Sequence, residues 1–132
     1  MTKLNRGLFT SQRGNWKTPR ALYQTLDAEF HFDYDPCPIM ASEDGLIKTW
    51  GKRNFVNPPY SQLKVWCKKS YEESLKNKLV VMLIPSRTDT IAWHEYCMKA
   101  KEIRFIKGRL KFGNSKNSAP FPSAIIIFDG RL

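Results

Sequence analysis

Apolar positions along this chain follow two rhythms, one helical and one strand-like, that take turns from Trp16 onward. In WKTPRALYQTLDAEF, Leu22, Tyr23, Leu26 and Phe30 recur at helical spacing, Thr18 is placed to cap the helix, and Pro19 suits its first position. HFDYDP then alternates apolar and acidic residues until Pro36 stops it, which predicts a short strand with Asp33 and Asp35 at or near its carboxyl end. CPIMASEDGLIKTWGK reads as a loop with a turn at Asp44-Gly45. A strand over about Arg53–Val56 runs into Asn57-Pro58-Pro59-Tyr60. Beyond it, Ser61 is placed to cap a helix whose face is Leu63, Trp66, Cys67, Tyr71 and Leu75, with Lys64, Lys68 and Lys69 outside.

Leu79–Ile84 is apolar throughout, the pattern of a strand covered on both faces. PSRTDT follows as its loop, and Thr88 or Asp89 is placed to cap a helix running to about Lys99. Glu102–Ile106 and Arg109–Phe112 read as strand segments broken near Gly108, GNSKNSAP as a loop, and Ser123–Phe128 as a last strand. Residues 1–15 lack periodicity and read as a flexible basic arm, leaving 16–132 as one domain. Strands alternating with helices imply an α/β fold with a largely parallel sheet, helices on both faces, and an antiparallel hairpin at the C-terminal edge. Ligands bind such sheets beyond the carboxyl ends of the strands, where DPCP, NPPYS and PSRTDT fall.

Charge sharpens this picture. The chain has 22 Lys+Arg against 12 Asp+Glu, a net charge of +10 over 132 residues, which favours a polyanionic partner and nucleic acid first. The longest apolar run, LVVMLIP, is far short of a bilayer span, so a soluble, intracellular protein is expected. Cys37, Cys67 and Cys97 are odd in number and sit in apolar surroundings, which predicts free buried thiols. His31 and His94 have no partner at ligand spacing, and no metal is expected.

Candidate chemistry centres on Asn57-Pro58-Pro59-Tyr60. The Asn57 side-chain carbonyl and the Pro58 main-chain carbonyl can both accept hydrogen bonds from one planar amine, which keeps the nitrogen lone pair out of conjugation and available for attack. Proline's fixed φ pre-organises these acceptors, and Tyr60 offers an aromatic face on which a base can stack, worth about 1–3 kcal/mol. An NPP turn can also simply end a strand and start a helix.

NPPY resembles the [D/N/S]-P-P-[Y/F/W] signature of S-adenosylmethionine-dependent amino-methyltransferases. Further blocks, WKTP, FDYDPCP, DGL followed by a tryptophan and FVNPPYS, LIPSRTDTIAW, and KGRLKF followed by APFPSAIIIF, resemble in order the phage-type DNA adenine-N6 methyltransferases (Dam family) over about Trp16–Phe128. That resemblance implies an abbreviated Rossmann-like methyltransferase sheet, with S-adenosylmethionine as cofactor and DNA as partner. Asn57, Pro58, Pro59 and Tyr60 would hold an adenine flipped from its duplex, and its amine would attack the sulfonium methyl directly, without metal or a covalent intermediate. Asp35 with Pro36 and Cys37 matches the family's cofactor loop, Asp33 or Asp44 would meet the ribose or the methionine amine, and Trp16 and Thr18 match the upstream cofactor-side block. A phage or prophage origin, with action in a bacterial cytoplasm, follows from the same resemblance.

The sequence departs from the wider class in one respect. Pro36-Cys37-Pro38 stands where a Gly-rich turn is usual, and only about twenty residues separate Asp35 from NPPY, so the cofactor pocket is expected to be shortened. Arg87, Arg109 and Lys111 are candidate DNA contacts, the last two alternatively protective charges on an edge strand. Trp16 is equally a hydrophobic staple and Asp89 equally a helix cap. An amino-methyltransferase for RNA or protein glutamine, and a catalytically silent nucleic-acid-binding remnant, remain the alternative readings.

Overall fold

The computed structural model describes residues 17–38, 45–113 and 116–132. The predicted arm, Trp16 and Asp44 lie outside them. Helix α1 spans Arg20–Phe30, strand β1 Arg53–Val56, helix α2 Leu63–Ser74 and strand β2 Leu79–Pro85. Helix α3 covers Ile91–Glu95, strand β3 Glu102–Phe105 and strand β4 Ser123–Asp129. Pro19 opens α1 by lending its carbonyl to Tyr23 N–H at 3.0 Å. The helix stops at His31, which takes a left-handed φ of 55° and donates its N–H to the Asp27 carbonyl. Thr18 does not cap it; no side-chain cap bond is made there.

One four-stranded sheet orders the strands β1-β2-β4-β3. β1 runs parallel to β2, whereas β4 pairs antiparallel with β2 and with β3. The expectation of a mostly parallel sheet is therefore corrected: the sheet is mixed, because β4 inserts between two strands that run the same way. β3 is left as the edge strand, so the expected antiparallel pairing of C-terminal strands does lie at an edge of the sheet. The antiparallel β3–β4 pairing itself is present, from Glu102↔Ile127 to Phe105↔Ala124.

Two further strand expectations fail for local reasons. HFDYDP makes only a single parallel bridge, Tyr34↔Asn54, since Pro36 has no N–H with which to continue the ladder. Arg109–Phe112 is loop rather than strand, closed by Ala119 N–H to the Leu110 carbonyl at 2.7 Å. Helix starts differ too. A 3-10 turn at Tyr60–Gln62 contains Ser61, and α3 is capped by Thr90, whose side chain accepts from Trp93 N–H, rather than by Thr88 or Asp89. The segment expected to remain helical to about Lys99 ends in a separate 3-10 turn, Cys97–Lys99.

Alternation along the strands divides the core between the two faces of the sheet. Val56, Val80, Met82, Ile84, Ile126 and Phe128 face α2 and α3, meeting Trp66, Cys67 and Trp93. Phe55, Leu79, Val81, Leu83, Ile125 and Ile127 face the other way, toward Leu26 of α1 and toward Phe112 and Phe121. Helices do cover both faces. All seven residues of β2 are buried, each large apolar side chain contributing about 1.5–3 kcal/mol by leaving water. Leu75, expected on the apolar face of α2, instead lies just past its end and is 66% exposed.

Polar anchors fix the far end of the sheet. Asn54 is fully buried, its amide donating to the Gly51 and Leu79 carbonyls at 3.0 Å each and accepting from Gly51 N–H. Glu73 is 1% exposed and sits among Lys69, Lys76 and Lys78, while Lys78 also donates to the Trp50 carbonyl. Burial opposes ionisation of Glu73, but hydrogen bonds from Lys78, Lys76 and Lys69 outweigh it and hold the carboxyl at about 2. Cys67 and Cys97 are buried with their sulfurs 3.8 Å apart, and Cys37 is half-buried.

Because the folded value of Glu73 lies below its ordinary 4.5, its contribution is present above that pH and is lost as pH falls through about 2. Glu73→Gln should lower stability at pH 7 by about 2–3 kcal/mol in urea unfolding, with the gap closing toward pH 2. An equal gap at both pH values would mean that packing, not charge, is what Glu73 contributes.

Candidate functional site

Strand direction collects the chemistry at one end of the sheet. β1, β2 and β3 all finish on the side where β4 begins, as the pairings Pro85↔Ser123 and Phe105↔Ala124 require. Four chain segments meet there: the NPPY turn after β1, Ser86-Arg87 after β2, Ile106 after β3, and Phe121-Pro122 before β4. Ser86 N–H donates to the Pro122 carbonyl at 2.9 Å and Ile106 N–H to the Ser123 carbonyl at 3.1 Å, which ties three of them together.

The turn is rigid by composition. Pro59 holds φ −62° and ψ 123° and its carbonyl accepts from Gln62 N–H, so the chain passes directly from strand to 3-10 turn to α2. Asn57 and Pro58 are buried, Pro59 and Tyr60 half-buried. The Asn57 amide nitrogen donates to the Thr18 hydroxyl at 3.0 Å, bridging two segments far apart in sequence. Its oxygen, on the opposite branch of the amide, is sealed from bulk solvent.

Tyr60 does not stand free. Its ring meets Phe121 edge-on at 5.5 Å and Phe112 at 6.3 Å, and Phe112 lies 6.0 Å from Phe121, giving a three-ring wall beside the turn. Burial pushes the Tyr60 phenol up, well above its ordinary range. Its hydroxyl, with those of Ser86 and Ser123, is buried and has no hydrogen-bond partner among the described residues. Buried hydroxyls left without partners are uncommon, and these three lie at one end of the sheet, while the other such groups include Trp66 Nε1 and Ser70 Oγ of α2.

An acidic segment flanks the turn. Tyr34 lies beside Asn54, and because the two segments run parallel, Asp35 and Pro36 advance in the direction of Asn57. Asp35 Oδ1 accepts Cys37 N–H at 2.9 Å, bending the chain, and the buried Pro36 packs its carbonyl on Gly45, where a Cβ would collide with it. Burial pushes the Asp35 carboxyl up to about 6, against the Cys37 N–H that favours its charge, although the residue keeps one edge in solvent. Asp33 is set apart. It lies at the amino end of β1, where its Oδ1 accepts Arg53 N–H at 3.1 Å, and its carboxylate serves the backbone.

On the opposite flank Arg87, Arg109 and Lys111 are exposed. The Arg87 guanidinium lies over the Phe121 ring at 5.9 Å, and Arg109 donates weakly to the Ala119 carbonyl at 3.5 Å, so both border the aromatic wall. Phe112, Phe121, Ser86 and Ser123 were not singled out by the sequence. The two phenylalanines could have been, as isolated aromatic residues within otherwise polar loops; the serines carry no comparable signal. Among the described residues no group of three or more His, Cys, Asp or Glu could hold a metal ion, and no helix is long and apolar enough to cross a membrane.

A DNA N-6-adenine-methyltransferase of Escherichia phage T1 is 28% identical to the chain over 111 residues, covering 74% of this chain and 47% of that protein. The chain thus spans about half the length of the curated relative it matches. No solved structure matches it. The profile of the DNA N-6-adenine-methyltransferase (Dam) family covers residues 7–128, and so runs unbroken through both flanks of the site and the turn between them. The chain belongs to the DNA N-6-adenine-methyltransferase (Dam) family.

Proposed function

We propose that this chain methylates the exocyclic amine of adenine in DNA, using S-adenosylmethionine, with Asn57-Pro58-Pro59-Tyr60 as the base clamp. The observation that carries this reading is the buried Asn57 amide at the end of β1, tied by its nitrogen to Thr18 in the segment before α1. An acceptor oxygen beside the Pro58 carbonyl suits a planar NH₂ group, and prolines keep both acceptors in place without reorganisation during reaction. Tyr60 supplies the aromatic face for a base taken out of its stack, backed by the buried rings of Phe112 and Phe121. Arg87, Arg109 and Lys111 lie where phosphates of the flanking strand would be neutralised, in keeping with the net charge of +10.

When bound, S-adenosylmethionine supplies an electrophilic methyl group on a sulfonium centre. The residues fit a cationic ligand of this kind: Asp35 offers a carboxylate at the mouth of the site, braced by Cys37 N–H and the buried Pro36. The raised value of Asp35 is that of a carboxylate whose charge is poorly solvated in the free protein, and a cation nearby would lower it. Asp33 lies at the start of β1, where its Oδ1 accepts Arg53 N–H. The Asn57 and Pro58 carbonyls orient the amine, the aromatic wall excludes water, and catalysis is positioning more than acid–base chemistry.

Methyl transfer from labelled cofactor to duplex DNA, with nucleosides identified by mass, should yield N6-methyladenine from the wild type. Asn57→Ala should lower the rate by roughly 10²–10³-fold, the loss typical of removing one pre-organised polar group. A methylated cytosine or RNA base, or no product, would sink the reading. Asp35→Asn keeps the turn to Cys37 N–H but removes the poorly solvated charge. Calorimetry should show about tenfold weaker cofactor binding, while stability at pH 7 rises by about 1 kcal/mol after allowance for exposure. Asp35 has its folded value raised, so that stability gap should shrink as pH falls through about 6 and the wild-type carboxyl takes up its proton. Arg87→Ala and Lys111→Ala should each weaken DNA binding and reduce the salt slope by about 1, without altering which base is modified.

A further inference from the structure

We propose that β3 pairs edge to edge with β3 of a second copy of this chain, joining two sheets into one across a two-fold axis at Ile103. β3 is an edge strand, paired with β4 alone. Ile106 N–H donates to the Ser123 carbonyl, and alternation along an antiparallel ladder then turns the backbone groups of Glu102 and Arg104 toward β4 and those of Ile103 and Phe105 outward. Among the described residues nothing bonds to those outward groups. Phe105, whose ring lies 6.2 Å from that of Trp93, leaves 67% of its surface in water on the same edge.

Charge selects both the partner and the register. Two antiparallel copies of β3 can bond only through Ile103 and Phe105, which carry the outward groups. With Ile103 opposite Ile103, the two exchange a pair of hydrogen bonds, Glu102 faces the partner's Arg104, and Arg104 faces the partner's Glu102. With Ile103 opposite Phe105, Arg104 would face Arg104, and like charges directly opposite are destabilising. With Phe105 opposite Phe105, Arg104 would face Ile106 and gain no charged partner. Only the first register sets opposite charges against each other. Arg104 is already oriented for it: its guanidinium donates to Glu29 and to Glu102 at 2.7 Å, lies over the Phe30 ring at 5.4 Å, and stays 35% exposed. On the other face Ile103 meets Ile103, with Phe105 diagonal to it. Charges on an edge strand commonly keep other strands away, but here they differ in sign, and two-fold symmetry makes them complementary to their own copy. Antiparallel pairing also points the carboxyl ends of the two sets of parallel strands in opposite directions, so neither copy covers the other's NPPY turn.

Sedimentation velocity of the wild-type chain from about 5 to about 500 μM, in about 0.3 M salt to screen repulsion between chains of net charge +10, should show a dimer that grows with concentration. Phe105→Lys, which replaces exposed apolar surface with an edge lysine, should weaken that dimer about tenfold or more. Ile103→Pro deletes an outward N–H and no bond to β4, and should do the same, with circular dichroism reporting that the fold is kept. Register is read by oxidative cross-linking. Ile103→Cys should form a disulfide-linked dimer well above the wild-type background from its own cysteines, and far more of it than Phe105→Cys, because only residue 103 lies opposite itself. A wild-type chain that stays monomeric over the whole range overturns the proposal. So does a dimer that both Phe105→Lys and Ile103→Pro leave intact, which would place its interface on another surface. Cross-linking through Phe105→Cys equal to that through Ile103→Cys overturns the register and with it the pairing of Glu102 with Arg104.

Discussion

β2 is the constraint on which the remaining structure depends. It is buried along its whole length, hydrogen-bonded on both sides, and covered on both faces, so no residue in Leu79–Pro85 has an alternative environment. A shift of register by one residue would exchange Val80, Met82 and Ile84 with Leu79, Val81 and Leu83 between two differently shaped halves of the core. Its parallel partner β1 is thereby fixed through Arg53↔Leu79 to Val56↔Met82, and the residue after Val56 is Asn57. The placement of Asn57 follows from packing that has no chemistry of its own.

Rigidity is handed from the sheet to the site by proline. Pro58 and Pro59 leave the turn few conformations, Pro36 ends pairing beside β1, and Pro19 restricts Thr18 while opening α1. At the other end of the sheet Asn54 and Glu73 do the corresponding work with hydrogen bonds, satisfying buried polar groups instead of leaving them available. The two ends thus differ in kind. Asn54 and Glu73 have their side-chain polar atoms paired, whereas at the carboxyl end the Tyr60, Ser86 and Ser123 hydroxyls are buried and have no hydrogen-bond partner among the described residues.

Charge follows the same division. A carboxylate raised by burial, Asp35, lies on one flank of the turn, and exposed cations, Arg87, Arg109 and Lys111, on the other. The aromatic wall of Tyr60, Phe112 and Phe121 adjoins the turn between these two flanks, in a chain of net charge +10.

The sequence alone determined those elements that a local rule governs. The uninterrupted apolar run predicted β2, the helical spacing predicted α1 and α2, and two prolines after an apolar strand marked the turn. These are short-range effects of sterics and burial, and they act whatever the remainder of the chain does. Tertiary structure decided what depends on contacts between distant segments. It put β4 between β2 and β3 and so made the sheet mixed. It took Thr18 from helix capping to Asn57, far along the chain, and gave the helix caps to Pro19 and Thr90. It set Asp33 beside Arg53 and brought Phe112 and Phe121 to Tyr60. Hydroxyls, carboxylates and aromatic rings each accept several kinds of partner, so local pattern could name these residues or overlook them, but only the packed strands select which partner each one meets.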